Sequence, residues 1–220
     1  MKTTACSYKL LPLSFFGIFR DWVDVLMSIR IIIVLLITFP ISSHAEDQYE
    51  ILARDAFLIS KNFMKSNSAN PPNLQIFTSS TGSKCGKITA SGFCPADNKI
   101  YLEKNQLKSF SKIDPVAVYV IVAHEYAHAM QFRFRFGRSY TVLNELQADC
   151  LAGTYLSGKF KSDDVKIKNA LRVAWSSGDF KWRSEQHHGF PHQRTQAFIH
   201  GMAQSYLSKE NGVLSCLDLF

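Results

Sequence analysis

The chain has 220 residues, 46% of them hydrophobic and 20% charged, which is enough for one sizeable core and short for two. Its 25 basic and 18 acidic residues leave a net charge of +7, or +5 once the four basic and two acidic residues of 1–45 are set aside. That excess is mild and scattered and comes with no nucleic-acid motif, so a nucleic-acid partner is excluded; so is a repeat or low-complexity architecture.

In chain order, residues 1–45 read as a leader. The stretch 31–41, IIIVLLITFPI, carries no charge, follows Arg30 and precedes Ser43, His44 and Ala45, the pattern of a secretory signal. A spanning helix needs about 20 apolar residues, so an uncleaved anchor that borrows residues 23–27 is the weaker alternative. The segment from Met27 onward is a complete signal by itself, and residues 1–26 then read as an extension from too early a start. Without the leader, Cys6 is lost and Cys85, Cys94, Cys150 and Cys216 remain, an even number that suits an oxidising compartment, periplasmic or extracellular. Four cysteines allow three pairings. Cys85 with Cys94 is the local one, which leaves Cys150 with Cys216.

Residues 46–220 are expected to form one domain. Helical spacing of Ile51, Leu52, Ala56, Phe57 and Ile59 predicts a first helix ending near Met64. Residues 66–73 read as a loop, and 74–77 and 99–102 as short strands around a segment with Gly and Cys. Asp114 and Pro115 mark the start of a helix over 116–130 that is apolar on every face before the histidines and therefore central. Gly137 is expected to end it, Thr141 to open the next helix and Gly158 to close that one. Ser162 opens a third, ending near Gly178, and Pro191 begins a last helix running to about Lys209. The basic run 133–138, RFRFGR, reads as a solvated helix end, the alternative being a patch for acidic partners.

The chemistry lies in 123–131, AHEYAHAMQ. Residues four apart share a helix face, so His124 and His128 can offer their rings to one metal while Glu125 flanks them. Catalytic zinc keeps three protein ligands and one open position. The helix after it supplies Glu145 as the third ligand, with Asp149 one turn on to accept the outer ring proton of His124 and small Ala148 to let the helices approach.

These residues carry a resemblance to the bacterial neutral zinc metallopeptidases. Residues 92–102, GFCPADNKIYL, are similar to that family's FYCPAD segment leading into a strand; 146–153, LQADCLAG, to its LQADCxAG; and His188, Gly189, Gln193, Arg194 and Phe198 to its HGxxxQR followed by an aromatic. The ending CLDLF is also similar. The likeness covers about residues 85–220. Two departures stand out: only 16 residues, 129–144, separate His128 from Glu145, where the family carries a longer insertion, and His192 stands where an acid is common. The resemblance implies a gluzincin-type enzyme, one Zn2+ per chain, and an α+β, mainly helical fold with a zincin-like core and a small β-sheet beside the HExxH helix.

It also places His188 where a donor could stabilise an oxyanion, and Arg194 where it could clasp Asp149 with two hydrogen bonds. His187, His192 and His200 read as structural or exposed. Tyr101 reads as a strand aromatic, with the alternative that its strand is an edge able to pair with an extended peptide.

The sequence therefore predicts an exported zinc metallopeptidase acting on peptides or proteins, with Glu125 as general base and no contact with a membrane except through a retained leader. Hydrolysis of non-peptide amides is a neighbouring reading. A catalytically silent zinc-binding interaction or assembly module is the alternative from another class, and the presence of Glu125 weighs against it. Processing is expected to leave Glu46 as the first residue; intact-mass measurement of exported protein should find that terminus, whereas retention of Met27 or Met1 would favour the anchored form.

Overall fold

Apolar residues at helical spacing build the first element of the described chain: α1, Gln48–Phe63, turns Ala53, Ala56 and Phe57 into the core. The computed structural model describes residues 47–64, 70–137, 141–161, 163–181 and 187–219; the leader and Ser162 lie outside them. Five short strands follow: β1 (Asn73–Phe77), β2 (Thr81–Ser83), β3 (Gly86–Ile88), β4 (Gly92–Cys94) and β5 (Lys99–Glu103). They form a three-stranded sheet of order β1-β5-β4 and a two-stranded hairpin, β2-β3. The central strand β5 runs parallel to β1, with Asn73 opposite Lys99, and antiparallel to β4, with Cys94 opposite Lys99. Its Ile100, Tyr101 and Leu102 are all buried, as expected of a strand covered on both faces. The Cys85–Cys94 disulfide ties the hairpin to β4.

Helix α2 (Lys104–Ile113) leaves β5 with no intervening loop. Glu103 caps it, accepting from the Gln106 N–H at 2.6 Å. The sequence analysis does not name this helix: its apolar stripe is only Leu107, Phe110 and Ile113 over ten residues, and it follows β5 with no turn residue to mark a boundary. Helix α3 (Val116–Phe134) starts where Asp114 accepts from the Val116 N–H at 2.7 Å, and it is buried on nearly every face. It ends at Arg135, which takes the left-handed conformation (φ 56°); Gly137, the expected stop, lies beyond.

Helix α4 (Thr141–Phe160) runs through Gly158, because the ring of Phe160 packs edge-on against Tyr119 and holds the last turn helical. Helix α5 (Asp164–Ser176) is capped by Asp163, which accepts from the Lys166 N–H. Helix α6 (Pro191–Ser205) ends short of Lys209, the expected end of the last helix, and a further helix, α7 (Lys209–Leu219), follows where none is expected. The fold is thus mainly helical with a small sheet, and no described helix is long and apolar enough to cross a membrane.

The tightest packing is between α4 and α6. A Cβ on Gly153 would fall 2.1 Å from the Phe198 carbonyl oxygen, and one on Gly201 would fall 1.8 Å from that of Cys150, so the two backbones meet where neither helix has a side chain. Arg194 lies two turns before Gly201, and Asp149 one turn before Gly153. The crossing therefore sets one against the other.

The Cys150–Cys216 disulfide, buried at both ends, fastens α7 to α4 across a separation of 66 residues. By loop entropy it contributes up to about 4 kcal/mol. Non-reducing peptide mapping should recover both bridges. The double substitution Cys150→Ala with Cys216→Ala should lower the denaturant midpoint by up to that amount while leaving most bound metal in place.

Candidate metal centre

His124 and His128 stand one turn apart on α3, and Glu145 approaches them from α4. The His124 and His128 Nε2 atoms are 3.0 Å apart, and the Glu145 carboxylate lies 3.2 Å from the first and 3.3 Å from the second. These ligand atoms all fall within 4.8 Å of one another. Small buried residues flank the ligands on both helices, Ala123 and Ala127 on α3 and Ala148 and Ala152 on α4.

The outer ring nitrogens are both occupied. His124 Nδ1–H donates to Asp149 Oδ1 at 2.9 Å, and His128 Nδ1–H donates to Gln131 Oε1 at 2.7 Å. With the protons on Nδ1, both Nε2 atoms turn lone pairs inward toward a carboxylate. Three Lewis bases facing one point fit a cation, and fixing the ring tautomer from outside is what metal-bound histidines require.

Asp149 is itself clasped by Arg194, whose Nε donates to Oδ2 at 2.6 Å and whose Nη2 donates to Oδ1 at 2.9 Å; Nη1 goes to the Ser177 carbonyl at 2.9 Å. Gln131 passes its amide protons to the Asn144 carbonyl (2.8 Å) and to Gln147 Oε1 (3.0 Å), and Gln147 Nε2 reaches the Cys216 carbonyl at 3.4 Å.

The charges follow from this packing. Burial pushes the Glu145 carboxyl up, but the two imidazoles outweigh it and hold the group far below the usual carboxylate range. Burial likewise opposes ionisation of Asp149, and Arg194 overcomes it. For His124 burial favours the neutral ring, yet Asp149 and Glu145 together hold its pKa well above the ordinary histidine value. A proton on Nε2 thus relieves the inward negative charge whenever no cation does.

Glu125 is half-buried and lines a cavity of about 430 Å³ together with His124, His128, Glu145, His188 and Arg194. His188 sits at its mouth, with its side chain 51% exposed and Nδ1 3.4 Å from Glu145 Oε2. The structure therefore gathers His124, Glu125, His128, Glu145, Asp149, His188 and Arg194 around one cavity.

Other histidines lie apart from it. His187 is buried, 2.7 Å from Asp179; His192 is exposed and stacked on Phe190; His200 keeps a buried Nε2 without a partner among the described residues. The edge-strand alternative for Tyr101 is corrected: β5 is paired on both sides, and the Tyr101 hydroxyl donates to Asp97 at 2.6 Å, which with burial pushes its pKa up to about 12.

Two contributors escaped the sequence reading. Gln131 stands three residues past His128, on the same helix face, and that spacing was a usable signal. Asp179 accepts from the His188 N–H at 3.0 Å and from the His187 ring, and so shapes the loop that presents His188. No local pattern marked it, because its partners lie eight and nine residues further along the chain.

No protein-family profile matches the chain, and no solved structure matches it. Curated relatives include uncharacterized proteins from Mycobacterium bovis and from two strains of Mycobacterium tuberculosis, each 28% identical over 139 residues. That similarity covers 49% of this chain and 47% of each relative, so the chain spans about half the length of the curated relatives it matches.

Two outcomes are expected for metal binding. Gln131→Ala should weaken it about 10- to 100-fold by releasing the His128 ring, as read by competition with a chelator. Because a cation must displace the proton held on His124, affinity should also rise with pH across the neutral range, with proton release visible when titrations are repeated in buffers of different ionisation enthalpy.

Proposed function

We propose that the chain is an exported zinc-dependent metallopeptidase with a zincin-like core. The observation that supports this reading is the convergence of His124, His128 and Glu145 on one point, with Glu125 on the wall of the same cavity. Two imidazoles and a carboxylate are a donor set of hydrolytic zinc, leaving a fourth position open. When bound, zinc would polarise a substrate carbonyl and acidify water.

The chain's own residues supply the rest. Glu125 takes the proton of the attacking water and returns it to the leaving amine. His188, at the cavity mouth, donates a hydrogen bond to the oxygen that gains charge as the carbonyl becomes tetrahedral. Asp149 and Arg194 on one side and Gln131 on the other hold the two imidazoles in the tautomer that presents Nε2 inward. The resemblance to the neutral zinc metallopeptidases points to the same reaction, and the two disulfides support a periplasmic or secreted location.

Metal analysis of the purified protein, with cleavage of a protein mixture assayed before and after chelation, tests the proposal. Glu125→Gln should retain zinc and fold but lose about 10²- to 10⁴-fold in turnover. Glu145→Ala should lose metal affinity and rate together. Zinc at one per chain without turnover in the parent protein would replace this reading with the silent binding module.

A further inference from the structure

We infer that the metal centre opens on one side into a carboxylate-recognising arm, in which Arg135, backed by Arg133, receives an acidic side chain or a free C-terminal carboxylate of the bound peptide; this rests on the peptidase reading.

A second cavity, of about 1010 Å³, shares His128 and Glu145 with the smaller one that holds Glu125, so a chain lying across the centre enters it. Arg133 and Arg135 lie in its lining, and Glu145 is the one carboxylate there among the described residues. Glu145 is already engaged by the two imidazoles and stands 3.5 Å from Arg194. The arm is therefore cationic, and its charge is not neutralised within its own lining.

The two arginines are held in different ways. Arg133 is half-buried; one guanidinium nitrogen donates to the Asn70 carbonyl at 2.9 Å, and its buried Nε has no partner among the described residues. Its orientation is set while donor capacity remains. Arg135 is exposed and sits at the left-handed end of α3 with φ 56°, a conformation that glycine adopts with less strain. A planar guanidinium with five N–H donors matches a carboxylate. Phe93 and Phe132, whose ring centroids are 6.0 Å apart, give the same cavity an apolar wall for the peptide stem.

Position along the helix sets the register. Arg135 follows His128 by seven residues, about 10 Å of helix at 1.5 Å per residue. An extended peptide advances about 3.3 Å per residue. The recognised carboxylate therefore falls about three residues from the bond at the metal centre.

The test uses the zinc-loaded full domain carrying Glu125→Gln, so that peptides are bound and not consumed. Fluorescence polarisation compares a short neutral peptide, the same peptide with one Glu moved along it, and each of these with free or amidated C-terminus. The acidic or free-carboxylate peptide should bind about tenfold more tightly than its neutral counterpart, the size of one charge-assisted hydrogen bond. Whichever of the Glu and C-terminal arms carries the preference identifies the source of the carboxylate. Arg135→Gln should abolish that preference and Arg135→Glu should invert it toward a Lys-containing peptide, both with unchanged zinc content. Equal binding of acidic and neutral peptides, or a preference that survives both variants, overturns the inference and leaves the peptidase reading standing. A zinc-loaded parent that neither binds nor cleaves any of the peptides overturns both.

Discussion

A carboxylate with no access to water has to be neutralised by what surrounds it, and Asp149 is such a carboxylate, 1% exposed in the middle of α4. Its partners come from two other helices: His124 from α3 and Arg194 from α6. Removing one partner of a buried pair typically costs about 3–5 kcal/mol, because the remaining charge is stranded. Much of the geometry follows from that requirement. The α4–α6 crossing must be close enough for a two-point clasp, which explains glycine at 153 and 201, and the α3–α4 crossing must bring a ring nitrogen within 2.9 Å of the same carboxylate.

The clasp also divides the electrostatic work. Arg194 answers the charge of Asp149 and also stands 3.5 Å from Glu145, on the side away from the point that the His124, His128 and Glu145 ligand atoms share. The protein thus places excess negative and lone-pair density at one point and stabilises every group behind it. Gln131 does for His128 what Asp149 does for His124, but with a neutral amide oxygen in place of a carboxylate.

What was legible in the sequence was whatever a helix repeats locally. The spacing of His124 and His128, the choice of Glu145 and Asp149 one turn apart, the Asp114 cap and the pairing of four cysteines could all be read from positions along the chain. Contacts made by distant backbone were not. Nothing near Tyr101 shows that β1 will lie parallel to β5 and make it a central strand, since the partner is some 26 residues away. Gly137 and Gly158 carry the usual helix-stop signal, yet Arg135 turns left-handed before the one and the burial of Phe160 overrides the other. Helix α7 was hidden because its anchor is a disulfide and a close approach of Gly212 to Thr154, not an apolar stripe.

A hydrogen-bonded line runs from His128 through Gln131 and Gln147 to the backbone carbonyl of Cys216, the residue whose sulfur is bonded to Cys150 on the helix that carries Glu145. The ligand residues are synthesised, and emerge from any export channel, well before Cys216 does. Until residue 216 arrives, Gln147 lacks its backbone acceptor. Order of assembly is thereby written into the molecule: the backing of His128 is completed last, by the same segment that closes the bridge to Cys150.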